Sequence, residues 1–241
     1  MRQMPTFVHA AAPPSLYDLF SAYGEKEVRK AGDLLIKEGD PPRRIYLITQ
    51  GHGCFIHMDA KGLSYSCGIL PPGGMCGYGP VLQQRRSLIG VRCLDAVAAL
   101  NLDAETFKRH VLPNLALYAE TLEHLLKSYG TLYNTLLFQI STNLPQRLAN
   151  FLRAYAACVK ARPGPDGRIR LPLKLTHERL GDIISATRVT TTLLLNHLAR
   201  LGMLEQTREG LVFPALLVEP EFIFNDLSQK HWTRIRGRKS D

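Results

Sequence analysis

Thr176-His-Glu-Arg-Leu-Gly-Asp-Ile-Ile-Ser-Ala-Thr187 runs straight into Arg188-Val-Thr-Thr-Thr-Leu-Leu-Leu-Asn-His-Leu-Ala-Arg-Leu-Gly-Met-Leu204, and this stretch decides the fold. Leu180, Ile183 and Ile184 share one helical face, and Thr191, Leu194, Leu195 and Leu198 share another. Thr176 and Thr187 stand where N-caps belong, and Gly202 stands where a helix would stop. The Val-Thr-Thr-Thr run is β-branched and a poor helix former by itself, but caps and leucine spacing outweigh it. The stretch therefore reads as a helix-turn-helix, whose second helix turns Arg188, Val189, Thr192, Leu193 and Asn196 away from its apolar side.

That outward set suits duplex DNA. An arginine at position 188 can pair with guanine O6 and N7, and Asn196 with adenine or a phosphate. Val189 and the threonine methyls match thymine methyls, while the Thr176, Thr187 and Thr190 hydroxyls are placed for backbone phosphates. After this pair, Leu204–Gln206 and Leu211–Phe213 flank Thr207-Arg-Glu-Gly210, which predicts a β-hairpin wing. Before it, Arg168–Leu173 alternates as a strand. A further helix is predicted from the Asn143 cap, with Pro145 in its first turn, to about residue 160.

Further upstream, residues 114–141 contain no proline and one glycine, Gly130. Leu122, Tyr129 and Leu136 recur every seven residues, and so do Leu125 and Leu132, giving a stripe spaced three and four. Such a stripe fits a homodimer seam. It also fits a helix lying on its own domain, and a helix of this length can do both. Residues 16–112 read as short strands separated by Gly39-Asp-Pro-Pro42, Gly51, Asp59-Ala-Lys-Gly62 and Pro71-Pro-Gly-Gly74. The strands expected are 33–37, 44–49, 53–58, 64–70 and 87–102, the last dividing into two. The fold class is α+β: an N-terminal antiparallel β-roll or jelly roll, a long dimerisation helix, and a C-terminal winged helix-turn-helix. Boundaries fall at 16–112 (effector-sensing roll), 113–142 (long helix), 143–215 (DNA-binding domain) and 216–241 (extension with a basic tail).

Composition is consistent with this reading. The formal net charge of +9 favours an anionic partner. Lys230, Arg234, Arg236, Arg238 and Lys239 concentrate that charge near the end of the chain, either as a solvated tail or as a basic arm that adds DNA affinity. The sequence has no run long enough for a membrane span and no signal-peptide pattern, so the expected location is the cytoplasm. Five cysteines, without a Cys-x-x-Cys pair, fit a reducing compartment better than a disulfide framework.

The order of roll, long helix and winged helix-turn-helix resembles the CRP/FNR family of transcription regulators. The resemblance is carried by Thr176-x3-Leu-Gly-x-Ile-x3-Thr-Arg-x-Thr-x6-Leu. In the roll it is carried by Gly39-Asp40, Ile45-Tyr-Leu-Ile-x2-Gly51 and Pro72-Gly73. It implies a homodimer on a two-fold operator in double-stranded DNA, a small-molecule effector in the roll, and a contact with RNA polymerase.

Two departures touch DNA reading. Val189 replaces the family's usual acidic residue, and Leu193 replaces the second arginine of the cyclic-AMP-responsive branch. In that branch a Gly-Glu pair binds ribose and an Arg-Ser pair binds phosphate. Here Arg86-Ser87 occupy the second place, and Cys76-Gly77-Tyr78 replace the first, without a carboxylate. Thr131, Leu132 and Tyr133 stand at the adenine-reading positions. The resemblance thus implies an effector other than cyclic AMP, held by Cys76, Gly77, Tyr78, Arg86, Ser87, Leu132 and Tyr133.

Three other chemistries are weighed. A four-cysteine iron–sulfur site lacks ligands, because no cysteine precedes Cys54. A haem- or redox-sensing regulator of the same fold is the alternative reading, with His52, His57 and Cys76 as axial candidates and Cys67, Cys76 and Cys93 as thiols. No metal is required by the sequence. A cupin-like metalloenzyme would need a His-x-His set that does not occur, and hydrolase and nucleotide-binding loop motifs are also missing, so the chain reads as a non-enzyme.

Overall fold

The computed structural model describes residues 6–59 and 64–219. Part of the Asp59–Gly62 turn and the whole basic tail lie outside the described residues.

Eight strands form two antiparallel four-stranded sheets. β1 (Glu25–Arg29), β3 (Arg44–Gln50), β6 (Met75–Cys76) and β8 (Val97–Asp103) make one, in the order β1-β8-β3-β6. β2 (Leu34–Ile36), β4 (Gly53–Met58), β5 (Ser64–Leu70) and β7 (Gly90–Cys93) make the other, in the order β2-β7-β4-β5. Tyr46, Ile48 and Ala99 of the first sheet meet Phe55, Leu70 and Val91 of the second in one buried cluster, which closes the roll. Ile45 and Leu47 point the opposite way, into a second cluster. The uninterrupted Ile45–Ile48 run is therefore a strand buried on both faces.

That second cluster rests on helices the strand pattern does not announce. α1 (Pro14–Tyr23) buries Leu16, Leu19 and Phe20, and α3 (Ala104–Val111) buries Phe107 and Val111 against β3. Asp103 caps α3 by accepting from the Glu105 and Thr106 amides. A short α2 (Tyr78–Gln83) follows β6. β1 also lacks a sequence signature: Glu25-Lys-Glu-Val-Arg29 leaves Val28 75% exposed, and only its ladder to β8 defines it.

The long helix α4 (Leu115–Ser141) begins at its Asn114 cap. It buries a polar side, with Thr121, His124, Thr131, Thr135 and Gln139 turned to the roll. Thr121, Thr131 and Thr135 return their hydroxyls to the carbonyl one turn back, which removes the cost of burying them. α5 (Leu144–Cys158) starts at Asn143 with Pro145 in its first turn. The C-terminal part comprises β9 (Arg168–Leu171), α6 (His177–Ile184), α7 (Arg188–Arg200), β10 (Glu205–Gln206) and β11 (Leu211–Pro214), with sheet order β10-β11-β9.

The C-terminal core is continuous with the roll. Phe7, Cys54, Ile56, Ile69 and Leu94 belong to the same buried cluster as Phe151, Leu180, Ile183 and Leu198. Polar bonds cross the same boundary. Gln139 Nε2 donates to the Ser66 carbonyl (3.3 Å) and to the Ile183 carbonyl (3.0 Å). Arg179 donates to the Leu94 carbonyl, and Arg92 stands 3.9 Å from Asp182.

Candidate nucleic-acid interface and roll pocket

α6 and α7 are set by local chemistry. Thr176 Oγ1 accepts from the Arg179 amide and Thr187 Oγ1 from the Thr190 amide, so each helix has its cap. Between them Ser185 turns in the left-handed region (φ 54°) and the Ala186 amide bonds the Gly181 carbonyl. A Cβ on Gly181 would lie 2.6 Å from the Ala186 carbonyl oxygen and 2.9 Å from Thr191 Oγ1, so the close crossing of the pair requires glycine. Within the β-branched run Thr191 and Thr192 satisfy their hydroxyls on the Thr187 and Arg188 carbonyls. The buried Thr191, Leu194, Leu195 and Leu198 then anchor the helix on the core.

The opposite side of α7 is open. Arg188, Val189, Thr190, Leu193 and Asn196 are exposed, with Val189 at 68% and Leu193 at 64%. Thr176 and Thr187 are exposed at the two helix starts. Thr192 is half-buried, because His177 Nδ1 sits 2.8 Å from its hydroxyl. The other ring nitrogen of His177 bonds Gln206 Oε1 at 2.7 Å. One histidine thus ties the start of α6 to both the middle of α7 and the wing, a link that periodicity could not reveal.

The roll encloses a cavity of about 220 Å³ beside α4. Cys76, Gly77, Tyr78, Arg86, Ser87 and Leu132 all line it, but Tyr133 does not. Tyr133 is 63% exposed on the outer side of α4, which corrects its assignment to the pocket. His9, Phe55, Leu125, Ser128 and Tyr129 also line the cavity, and the described lining includes no carboxylate. Arg86 and Ser87 are engaged by backbone carbonyls. Arg86 Nη1 donates to the Gly39 carbonyl (2.8 Å), and Ser87 Oγ donates to the Ile89 carbonyl (2.7 Å).

Two histidines connect the N-terminal segment to this wall. His9 Nδ1 lies 2.8 Å from Ser128 Oγ, and His124 joins Tyr78 Oη (2.9 Å) to the Ala10 carbonyl (3.3 Å). Burial pushes His9 down to about 4, and nearby His124 adds to this against a Cys67 carbonyl that opposes it. Burial also lowers His124 and raises the Tyr78 phenol, so at neutral pH these three side chains are uncharged.

The exposed side of α4 differs from the predicted stripe. Leu122, Tyr129 and Leu136 are exposed as expected, but Leu125 and Leu132 are half-buried and face the cavity. Leu126 (61%), Tyr133 (63%) and Ile140 (80%) take their place, so the outward stripe is 122, 126, 129, 133, 136, 140, spaced four and three. The exposed stripe thus differs in phase from the predicted one, with Leu125 and Leu132 against the cavity and Tyr133 outside it.

The histidines and cysteines weighed for other sensing chemistry are already committed. Both ring nitrogens of His52 are bonded, to Asp95 and to Tyr155, and His57 pairs with Glu38 on the surface. This donor set does not fit a haem iron. Burial pushes the Cys54 thiol to about 12 and Cys93 to about 11, and raises Cys67 and Cys76, the opposite of what a reactive thiolate needs. Among the described residues, no three His, Cys, Asp or Glu side chains are grouped to hold a metal ion, and no helix is long and apolar enough to cross a membrane.

Comparison with known proteins adds two matches on one chain. Residues 26–112 match the model of the cyclic nucleotide-binding domain, and residues 146–216 match that of the Crp-like helix-turn-helix domain. The chain belongs to the CRP/FNR family. Its α6–α7 pair and wing are the Crp-like helix-turn-helix, and the protein is a DNA-binding transcription regulator. The transcriptional regulator SdrP of Thermus thermophilus is 28% identical over 178 residues, covering 72% of this chain and 81% of SdrP.

Solved CRP/FNR-like structures share the fold. A CooA mutant from Carboxydothermus hydrogenoformans has a TM-score of 0.64 at 18% identity, covering 97% of this chain and 98% of the other. The c-di-GMP responsive regulator CLP of Xanthomonas campestris also scores 0.64, at 15% identity, covering 84% and 100%.

Proposed function

We propose that this CRP/FNR regulator acts as a homodimer on a two-fold DNA operator and responds to a compact, largely apolar effector other than cyclic AMP. The observation that carries the effector reading is the cavity wall. It has no carboxylate for a ribose, Leu132 on its helix side, and Arg86 and Ser87 bonded to backbone carbonyls. At about 220 Å³ the cavity falls below the roughly 300–1,000 Å³ of sites for drug-sized ligands. A cyclic dinucleotide of the kind named for CLP is larger still.

The dimer reading rests on the exposed stripe from Leu122 to Ile140, an apolar heptad seam that water would otherwise cover. Two α7 helices brought together by that seam would enter successive major grooves about 34 Å apart. Arg188 and Asn196 supply hydrogen bonds, and Val189 and Leu193 supply apolar contacts. Specificity then leans on thymine methyls and duplex shape more than in the cyclic-AMP branch. Effector contact at Leu125, Ser128 and Leu132 lies on the same helix as the seam, so occupancy can bias the spacing of the two reading heads.

The test is a thermal-shift screen of small apolar and aromatic metabolites, with cyclic AMP as control, followed by operator footprinting. A hit raises Tm with concentration and changes DNA affinity, whereas Leu132→Trp removes the shift without unfolding the protein. A cyclic-AMP response at micromolar concentration, without one from any compact apolar compound, would refute the effector reading.

A further inference from the structure

Three consecutive threonines lie in the first half of α7, and their hydroxyls are committed differently. Thr190 Oγ1 lies 2.9 Å from Thr187 Oγ1. Thr191 is buried and donates to the Thr187 carbonyl (3.0 Å). Thr192 donates to the Arg188 carbonyl (2.9 Å), and its oxygen is also 2.8 Å from Nδ1 of His177, the first residue of α6. The hydroxyl proton is spent on the carbonyl, so the oxygen accepts from the ring N–H. The other ring nitrogen of His177 lies 2.7 Å from the side-chain amide of Gln206 in the two-residue strand β10. Gln206 is exposed and can turn either end of its amide to the ring.

Threonine is the β-branched residue that keeps two side-chain rotamers in a helix, because its hydroxyl can bond a carbonyl of the preceding turn. A free threonine on the outer side of α7 would offer DNA its hydroxyl in some molecules and its methyl in others. The bond from His177 holds the oxygen against α6 and leaves the methyl for a base to meet. Thr192 stands four residues after Arg188, one turn further along the same side of the helix. A fixed methyl at that place packs on the thymine methyl, whereas a free hydroxyl bonds the edge of several bases.

We propose that His177 is a positioning residue for base recognition. By pinning the Thr192 hydroxyl it makes Thr192 read through its methyl. By its bond to Gln206 it holds the wing, with the exposed Arg208 in its turn, in register with α7. His177 itself touches no base. This assignment rests on α7 being the base-reading helix.

The full-length protein is tested by selection from a randomised DNA duplex pool at low salt, with base preferences read by sequencing and affinity for random duplex measured in parallel. In His177→Ala the preference for thymine at one position per half-site should fall about fourfold, the worth of one buried methyl group. The position read by Arg188 should keep its preference, and affinity for random duplex should stay within about twofold, because phosphate contacts are untouched. His177→Asn, whose amide nitrogen reaches the place of Nδ1, should restore the thymine preference, and His177→Gln, which reaches towards Gln206 instead, should not. Thr192→Val keeps a methyl and loses the hydroxyl, so it should keep the parent's profile, and adding His177→Ala to it should change that profile no further. A loss in His177→Ala that is equal for all sequences would overturn the proposal, since a phosphate contact or general support of the fold does that. A changed profile in Thr192→Val would overturn it too, because the hydroxyl would then be the reader. The asparagine and valine variants are near-isosteric and decide the matter even if His177→Ala is poorly folded. If Arg188→Ala also left the profile unchanged, α7 would not be the reading helix and both assignments would fall. If Arg188→Ala lost its position while His177→Ala kept the parent's profile, the assignment of His177 alone would fall.

Discussion

Tyr155 Oη lies 2.7 Å from His52 Nε2, joining α5 of the DNA-binding part to the turn between β3 and β4 of the roll. His52 Nδ1 is 2.7 Å from Asp95, which also accepts from the His52 amide (2.6 Å). The carboxylate fixes the proton on Nδ1, so Nε2 accepts from the phenol. Burial pulls the Asp95 carboxyl upward, but the His52 ring and amide outweigh it and hold it below the usual range. Tyr155→Phe leaves Nε2 without its donor and should cost about 1–3 kcal/mol. Calorimetry would read this as a lower Tm, and hydrogen exchange should rise in α5 and the His52 turn together. If Tyr155→Phe and Asp95→Asn losses simply add in a double-mutant cycle, the three groups do not act as one chain of bonds.

The DNA-reading side makes its own prediction. Arg188→Ala should weaken operator binding by about 1–3 kcal/mol and relax base preference at one position per half-site. Leu193→Ala should lose less affinity and shift preference away from thymine, because it removes only apolar contact. Binding of random duplexes should change little in either variant. Competition titrations against operators with single base changes distinguish these outcomes, and an unchanged base profile for Arg188→Ala would remove it from the reading set.

How much of this was legible in the sequence depended on whether a residue's partner lay nearby in the chain. The caps at Thr176, Thr187 and Asn143 act on amides three residues away, and all three formed where the sequence placed them. The strands at 44–50, 53–58 and 64–70 carry their own buried residues and were equally readable. β1 was not, since its definition comes from β8 some seventy residues away. The phase of α4 was ambiguous for a physical reason: Leu122, Tyr129 and Leu136 belong to two interleaved heptad sets, one completed by 125 and 132 and the other by 126 and 133. Only the roll, by taking Leu125 and Leu132 against its cavity, chooses between them. The His177–Gln206 link and the His9–Ser128 contact were hidden for the same reason as β1.

That phase can be tested by oligomeric state. Leu126→Glu places a charge in the outward stripe and should shift the protein towards monomer in light scattering, with loss of operator affinity. Leu125→Ala should leave the mass unchanged while lowering stability by about 2 kcal/mol at most, since its site is only half-buried. If Leu125→Ala dissociated the protein and Leu126→Glu did not, the seam would have the other phase.

His9 gives the protein a defined weakness in acid. Its folded-state value is about 4, against 6.5 for the free side chain, because it is buried between Ser128 and Phe55. Above pH 6.5 the ring is neutral both folded and unfolded, and it contributes no pH dependence. As pH falls below 6.5 the unfolded chain takes up a proton that the native state refuses. Stability is therefore lost progressively down to about pH 4, by an amount on the order of 3 kcal/mol. Asp182 works in the opposite direction: burial lifts its carboxyl to about 6, so its protonation relieves a cost over part of the same range. Urea titrations of wild type and His9→Gln between pH 7.5 and 4.5 separate the two. The variant should lose the decline due to His9 and keep both the decline due to His124 and the Asp182 gain, so its stability should fall less than that of wild type towards pH 5. Parallel curves for the two proteins would mean that His9 is not held neutral in the folded state.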